Sequence, residues 1–177
     1  MLIGARPGEM TSQQQALHDA IASGPRGGVP LPFLAMLDSP GLCDAIQGVG
    51  ETIRYRTTMT DRQREIAILA AAAACGSGYE WGYHDALAVK AGMTPAERTA
   101  VLDGSGAGLR PGEGAMVRYI RIAVHERRAD AAELADITAT LGREIATEAT
   151  AIAGYYPLLA LFLGAGGLDE PLPASIA

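Results

Sequence analysis

The sequence predicts an all-α fold, and three observations carry that expectation. Nowhere do β-branched or aromatic residues alternate over four or more positions between turn signals. Apolar residues instead recur three and four apart, as in Leu42, Ala45, Ile46, Val49 and Ile53, and again in Met116, Val117, Ile120 and Val124. Helix-start signatures stand at Thr60-x-x-Gln63, Thr94-Pro95-Ala96-Glu97 and Asp130-x-x-Glu133. Together these predict a helical bundle of about eight helices. By length, residues 1–177 form a single domain able to bury most of its apolar surface in one core.

Taken in order, Ser12 to Ala22 reads as a short polar helix ended by Ser23-Gly24-Pro25. Arg26-Gly27-Gly28-Val29-Pro30 is a loop without a phosphate-binding ending. Arg26 is its one basic residue, either a solvated charge or a fork-shaped clamp for a substrate carboxylate. Helices follow over Pro32 to Leu37 and Pro40 to Arg54, with Arg54, Tyr55 and Arg56 placing positive charge at the C-terminal end of the second. Thr60 opens a central helix with no charge from Ile66 to Tyr79, the mark of a helix surrounded by protein. Gly76-Ser77-Gly78 breaks it, and a second central helix runs to about Ala91 with Gly92 as its stop. Thr94 to Leu102, Gly112 to Arg128, Asp130 to Gly142 and Glu144 to Ala165 complete the helices. Arg118, Arg121, Arg127 and Arg128 read as a solvated basic face, and Pro157 is expected to kink or restart the last helix.

Composition excludes several function classes. Net charge is −6 without a basic run, so nucleic acid is not expected as a partner. Cys43 and Cys75 are too few for a disulfide framework and lack metal or redox spacing. The N-terminal residues have no secretory apolar core. Ala151 to Leu168 carries no charge, yet its glycines and Pro157 make it a buried terminal helix, so no membrane is expected and the protein reads as soluble and cytoplasmic. Its apolar excess implies that some of that surface is buried between subunits of a homo-oligomer.

The chemical signal lies between Thr60 and Leu87. Glu80 and His84 are four apart, so a helix sets both on one face, within reach of a shared ligand or proton. A plainer account stands beside it: Ser77-x-x-Glu80 is also a capping box, and His84 is then a core histidine bonded to a carbonyl.

The series Glu65, Ser77, Glu80 and His84, within REIAIL…GSGYEWGYH…A…AGMTPAE, resembles the carboxymuconolactone decarboxylase / AhpD-like family. The likeness runs from the GPRGGVPLPF segment to YYPLLALFLGAG, so the family core covers about residues 24–167. In the peroxidase branch a glutamate, a Cys-x-x-Cys pair and a histidine occupy these intervals. Here Glu65 and His84 match, while Ser77 and Glu80 stand in the cysteine positions, as in a decarboxylase-like branch where Glu-Trp replaces the second cysteine. The resemblance implies an AhpD-like helical bundle, a cavity bordered by Tyr156 or Tyr155, and a homo-oligomer, whether dimer, trimer or hexamer. A family asparagine near the end of the last helix is replaced by Gly164.

Thiol peroxidase chemistry needs two thiols, and Ser77 and Glu80 supply neither. What remains is His84, Glu80 and Glu65 as a catalytic set, with Ser77, Tyr83, Trp81, Arg26 and Tyr156 as substrate-binding candidates. An Ala-rich wall would raise a carboxylate's pKa toward neutrality, which suits proton transfer to and from carbon. The expectation is therefore a cofactor-free lyase, decarboxylase or isomerase on a small organic acid or lactone. Two alternatives stay open: a metal-dependent enzyme using Glu80 and His84 as ligands, with His125 as a third, and a non-catalytic family member.

Overall fold

The structure, a computed structural model, describes residues 3–6 and 8–176. Among the described residues there are nine α-helices and no strand, in keeping with the all-α expectation. They are α1 (Ser12–Ala22), α2 (Leu31–Met36), α3 (Pro40–Tyr55), α4 (Asp61–Cys75), α5 (Gly78–Lys90), α6 (Pro95–Leu102), α7 (Glu113–Glu126), α8 (Ala131–Leu141) and α9 (Arg143–Gly166).

Helix α4 is the axis of the bundle and packs against α5, α6, α7 and α9. Its start is the expected capping box: Thr60 Oγ1 accepts from the Gln63 N–H at 3.2 Å while Gln63 Oε1 accepts from the Thr60 N–H at 2.9 Å. Ile66, Ala67, Ile68, Leu69, Ala71 and Ala72 have essentially no exposed surface. A helix apolar on all sides has to be enclosed, and its alanines let the neighbouring helices come close.

The helices are tied by charge as well as by packing. Arg62 on α4 is buried and reaches Glu97 of α6 at 2.6 Å and Glu113 of α7 at 3.1 Å. Burial of that arginine is tolerable because two carboxylates match its fork. The expected solvated face of α7 is instead partly paired, since Arg118 meets Glu133 of α8 at 2.7 Å.

Helix α9 does not restart at Pro157 but runs unbroken through it. The proline removes one backbone hydrogen bond, and burial of Ala153, Tyr155, Tyr156 and Leu159 on either side holds the helix in place. By length and composition α9 could cross a membrane, yet half of its most apolar window is buried inside the bundle.

The C-terminal segment crosses the start of α5. Gly76 ends α4 at φ 77°, Ser77 caps α5, and the Gly78 N–H donates to the Glu170 carbonyl at 2.8 Å. Asp169 Oδ1 accepts from the Ser77 hydroxyl at 2.9 Å and from the Tyr79 N–H at 3.2 Å. A β-carbon at Gly78 would overlap the carbonyl oxygens of Glu170 and Pro171. Gly78→Ala should therefore cost about 1–3 kcal/mol and lower the thermal midpoint. Gly82→Ala on the open side of the same helix should hold or raise it. Equal midpoints for the two variants would show that the segment yields freely.

Candidate active site

Tyr83 and His84 each lie about one helical turn after Glu80 on α5, and Glu80 and His84 share the face turned toward α4 and α9. From α4, Glu65 Oε2 stands 2.6 Å from His84 Nδ1, with both side chains 3% exposed. With the Glu65 oxygen as acceptor, Nδ1 carries the proton and Nε2 of the neutral ring keeps its lone pair. Nε2 lies 3.2 Å from the Tyr156 hydroxyl of α9, which then donates to it. Glu80 Oε2 is 3.9 Å from the same nitrogen, beyond hydrogen-bond range. The rings of Tyr83 and Tyr156 meet His84 edge-on at 5.2 and 5.4 Å between centroids.

Burial fixes the protonation states. It lowers the His84 pKa below the usual 6.5, against an opposing pull from Glu65, so the neutral ring is favoured. It also raises Glu80 to about 8, with Asp169 adding to the rise and Arg54 opposing it. Burial holds the Tyr156 hydroxyl well above 10, so it stays a donor. Glu80 Oε1 is buried and has no hydrogen-bond partner among the described residues. Near neutral pH the site thus presents an imidazole base, a carboxylic acid and a phenol around one point.

That point opens into a cavity lined by Arg26, Pro30, Phe33, Arg54 and Leu159 besides the site tyrosines. About 30 Å³ of it admits the centre of a water-sized sphere, room for one or two waters. Gly50 of α3 is part of the wall, and a β-carbon there would overlap the Tyr155 hydroxyl, which donates to the Ile46 carbonyl at 3.0 Å.

The structure brings together Glu65, Glu80, His84, Tyr83 and Tyr156, and Arg26 lies at the edge of the same cavity. Two candidates face elsewhere. Ser77 is spent on capping, accepting from the Glu80 N–H at 3.4 Å and donating to Asp169, so only half of the capping-box account holds: the Glu80 carboxyl does not return to it. Trp81 points to the opposite side of α5, buried beside Arg98 and Pro171. Arg26 donates to Gln47 Oε1 and to the Gln47 carbonyl, both at 3.1 Å. His125 is exposed at the end of α7 and lines other clefts. Among the described residues no group of three or more His, Cys, Asp and Glu is disposed to hold a metal ion. Neither cysteine lines the cavity, and burial pushes both thiols up to about 11. Sequence reasoning missed Arg54 as a wall residue, and of Tyr155 and Tyr156, one of which was expected to border the cavity, both line it. Ile46, Gly50 and Arg54 lie four apart on one stripe of α3, and a glycine in mid-helix was the available sign of close packing there.

A helical bundle closed around a carboxylate–imidazole pair is the architecture that the sequence resemblance implied. Residues 40–108, which hold Glu65, Glu80 and His84, match the carboxymuconolactone decarboxylase family and bear out the resemblance over that span. The fold is similar to a crystal structure of a variant of the debrominase Bmp8 in complex with 2,3,4-tribromopyrrole. The TM-score is 0.71 over 98% of this chain and 92% of that one, at 15% identity, a likeness of fold alone. No curated protein matches the sequence significantly.

The pKa of Glu80 makes a thermodynamic test. A carboxyl raised from 4.5 to about 8 contributes full stability below 4.5 and loses it as pH rises through about 8. Glu80→Gln should therefore gain stability over the native chain across that interval, by on the order of a few kcal/mol. A difference that does not change with pH would mean that Glu80 is ionised throughout.

Proposed function

We propose that this chain is a cofactor-free acid–base enzyme of the carboxymuconolactone decarboxylase type, a lyase or isomerase acting on a small organic acid or lactone. The observation that carries the reading is the 2.6 Å Glu65–His84 contact, which leaves Nε2 as a base at the cavity beside a protonated, unpartnered Glu80. Glu65 orients the imidazole and stabilises the imidazolium once a proton is taken up.

In an isomerisation, His84 Nε2 removes the proton from a carbon next to the carbonyl and returns it at another carbon. The enolate that forms between these steps accepts hydrogen bonds from Glu80 and Tyr156. In a decarboxylation, the electron pair of the broken C–C bond passes into the enolate as CO2 leaves. The Glu80 carboxyl then supplies the proton to carbon and is recharged from water. Both routes need Glu80 protonated, and the isomerisation also needs His84 neutral. Turnover should fall as pH rises above about 8, and for the isomerisation again as it drops below the depressed pKa of His84.

Carboxymuconolactone and simpler unsaturated lactones and acids form the first substrate panel. On the substrate found, His84→Ala should lower kcat by at least roughly a hundredfold, with the thermal midpoint nearly unchanged. Glu65→Gln should lower kcat while sparing KM, because the imidazole loses its fixed tautomer. Activity lost only in step with folding would reduce His84 to a core residue.

The proposal extends to self-association and a cytoplasmic setting. Leu42 and Val49 on α3 and Val89 on α5 are 48–51% exposed, apolar surface suited to contact between copies. Light scattering at micromolar concentration should give a multiple of 18.3 kDa, and a monomer overturns this part of the reading.

A further inference from the structure

The cavity wall contains a cation whose use the packing does not explain. Arg62, Arg98 and Arg118 each face a carboxylate of a neighbouring helix at 2.6–2.7 Å. Arg54 of α3 lines the cavity together with Glu80, His84 and Tyr156, yet among the described residues no carboxylate forms an ion pair with it. Its guanidinium lies instead over two rings, 5.0 Å from the centroid of Tyr83 and 5.5 Å from that of Tyr55. Stacking holds the plane of the arginine, and beyond a hydrogen bond shared with the Tyr83 side chain no carboxylate claims its in-plane donors. Arg26, the other arginine of the wall, has given donors to Gln47 and rests over Phe33 at 5.1 Å.

We propose that Arg54 is the anion-binding residue of this cavity, recognising a carboxylate of a small, flat, largely apolar ligand. This rests on the acid–base reading of the same site and names its substrate class. Three features converge on it. An arginine without a carboxylate partner offers a bidentate fork. Glu80 Oε1 is buried beside it without a partner, and a protonated carboxyl donates to an anion rather than repelling it. Pro30, Pro32, Phe33 and Leu159 form an uncharged part of the wall that suits the ligand's hydrocarbon body. Tyr83, the lining residue beneath the Arg54 guanidinium, is 39% exposed, so this side of the cavity borders solvent.

Binding tests this without any turnover, so its outcome is independent of whether His84 moves protons. 2-Furoate and its methyl ester serve as the probes, followed by calorimetry or ligand-observed NMR. The native chain should bind the acid at least roughly tenfold more tightly than the ester, the worth of one charge-assisted contact. Arg54→Gln should lose that preference while binding the ester as before, which also reports an intact cavity. Arg54→Lys should recover part of it, and Arg26→Gln should retain it. Equal binding of acid and ester by the native chain, no binding of the acid at tens of millimolar, or an undiminished preference in Arg54→Gln overturns the assignment. Loss of the preference in Arg26→Gln but not in Arg54→Gln transfers it to Arg26.

Discussion

The rest of this structure depends on a single buried contact, the one between Glu65 and His84. Two ionisable side chains at 2.6 Å inside an apolar bundle are stable only if each satisfies the other. That condition sets the relation between α4 and α5, because the pair spans the two helices and no water is needed to complete it. It also determines which imidazole nitrogen faces the cavity. With Nδ1 committed to Glu65, Tyr156 and Glu80 can address only Nε2. The tyrosine on α9 and the carboxyl on α5 thus acquire their meaning from a glutamate on a third helix.

Much of the fold was legible because its signals are local. Thr60 with Gln63 and Thr94 with Glu97 form the capping boxes their spacing announced, and residues 66–72 of the charge-free run after Glu65 are all buried. The Glu65–His84 relation was legible through resemblance, and the four-residue step from Glu80 to His84 through helical geometry. The direction of a side chain around its helix was harder to read. Trp81 adjoins Glu80 in sequence yet faces the other side of α5, since neighbours on a helix diverge by about 100°. Ser77 could be placed at a helix start but its second partner, Asp169, lies 92 positions away and left no local trace. Arg54 was taken for a helix-end charge because that account is complete without the tertiary structure.

The wall also shows how spacing and side-chain size act together. Gly50 lets α3 approach α9 closely enough for the Tyr155 hydroxyl to reach the Ile46 carbonyl. The same approach carries Arg54, one turn further on, to the cavity rim. Proline has a comparable effect on α9: the chain accepts a missing hydrogen bond at Pro157 while the preceding turn presents Tyr155 and Tyr156 inward.

The strap across the start of α5 has a consequence for how the chain is made. Ser77 Oγ and the Tyr79 N–H are satisfied by Asp169, and the Gly78 N–H by Glu170, some 90 residues downstream. A nascent chain that has already formed α4 and α5 therefore holds polar groups at their junction with no final partner. It must keep them hydrated until the distant segment arrives. The helix that bears Glu80 and His84 can be wound early, but its first turn is sealed only once Asp169 and Glu170 have been made and packed against it. Completion of the bundle and completion of the site become, at that junction, the same event.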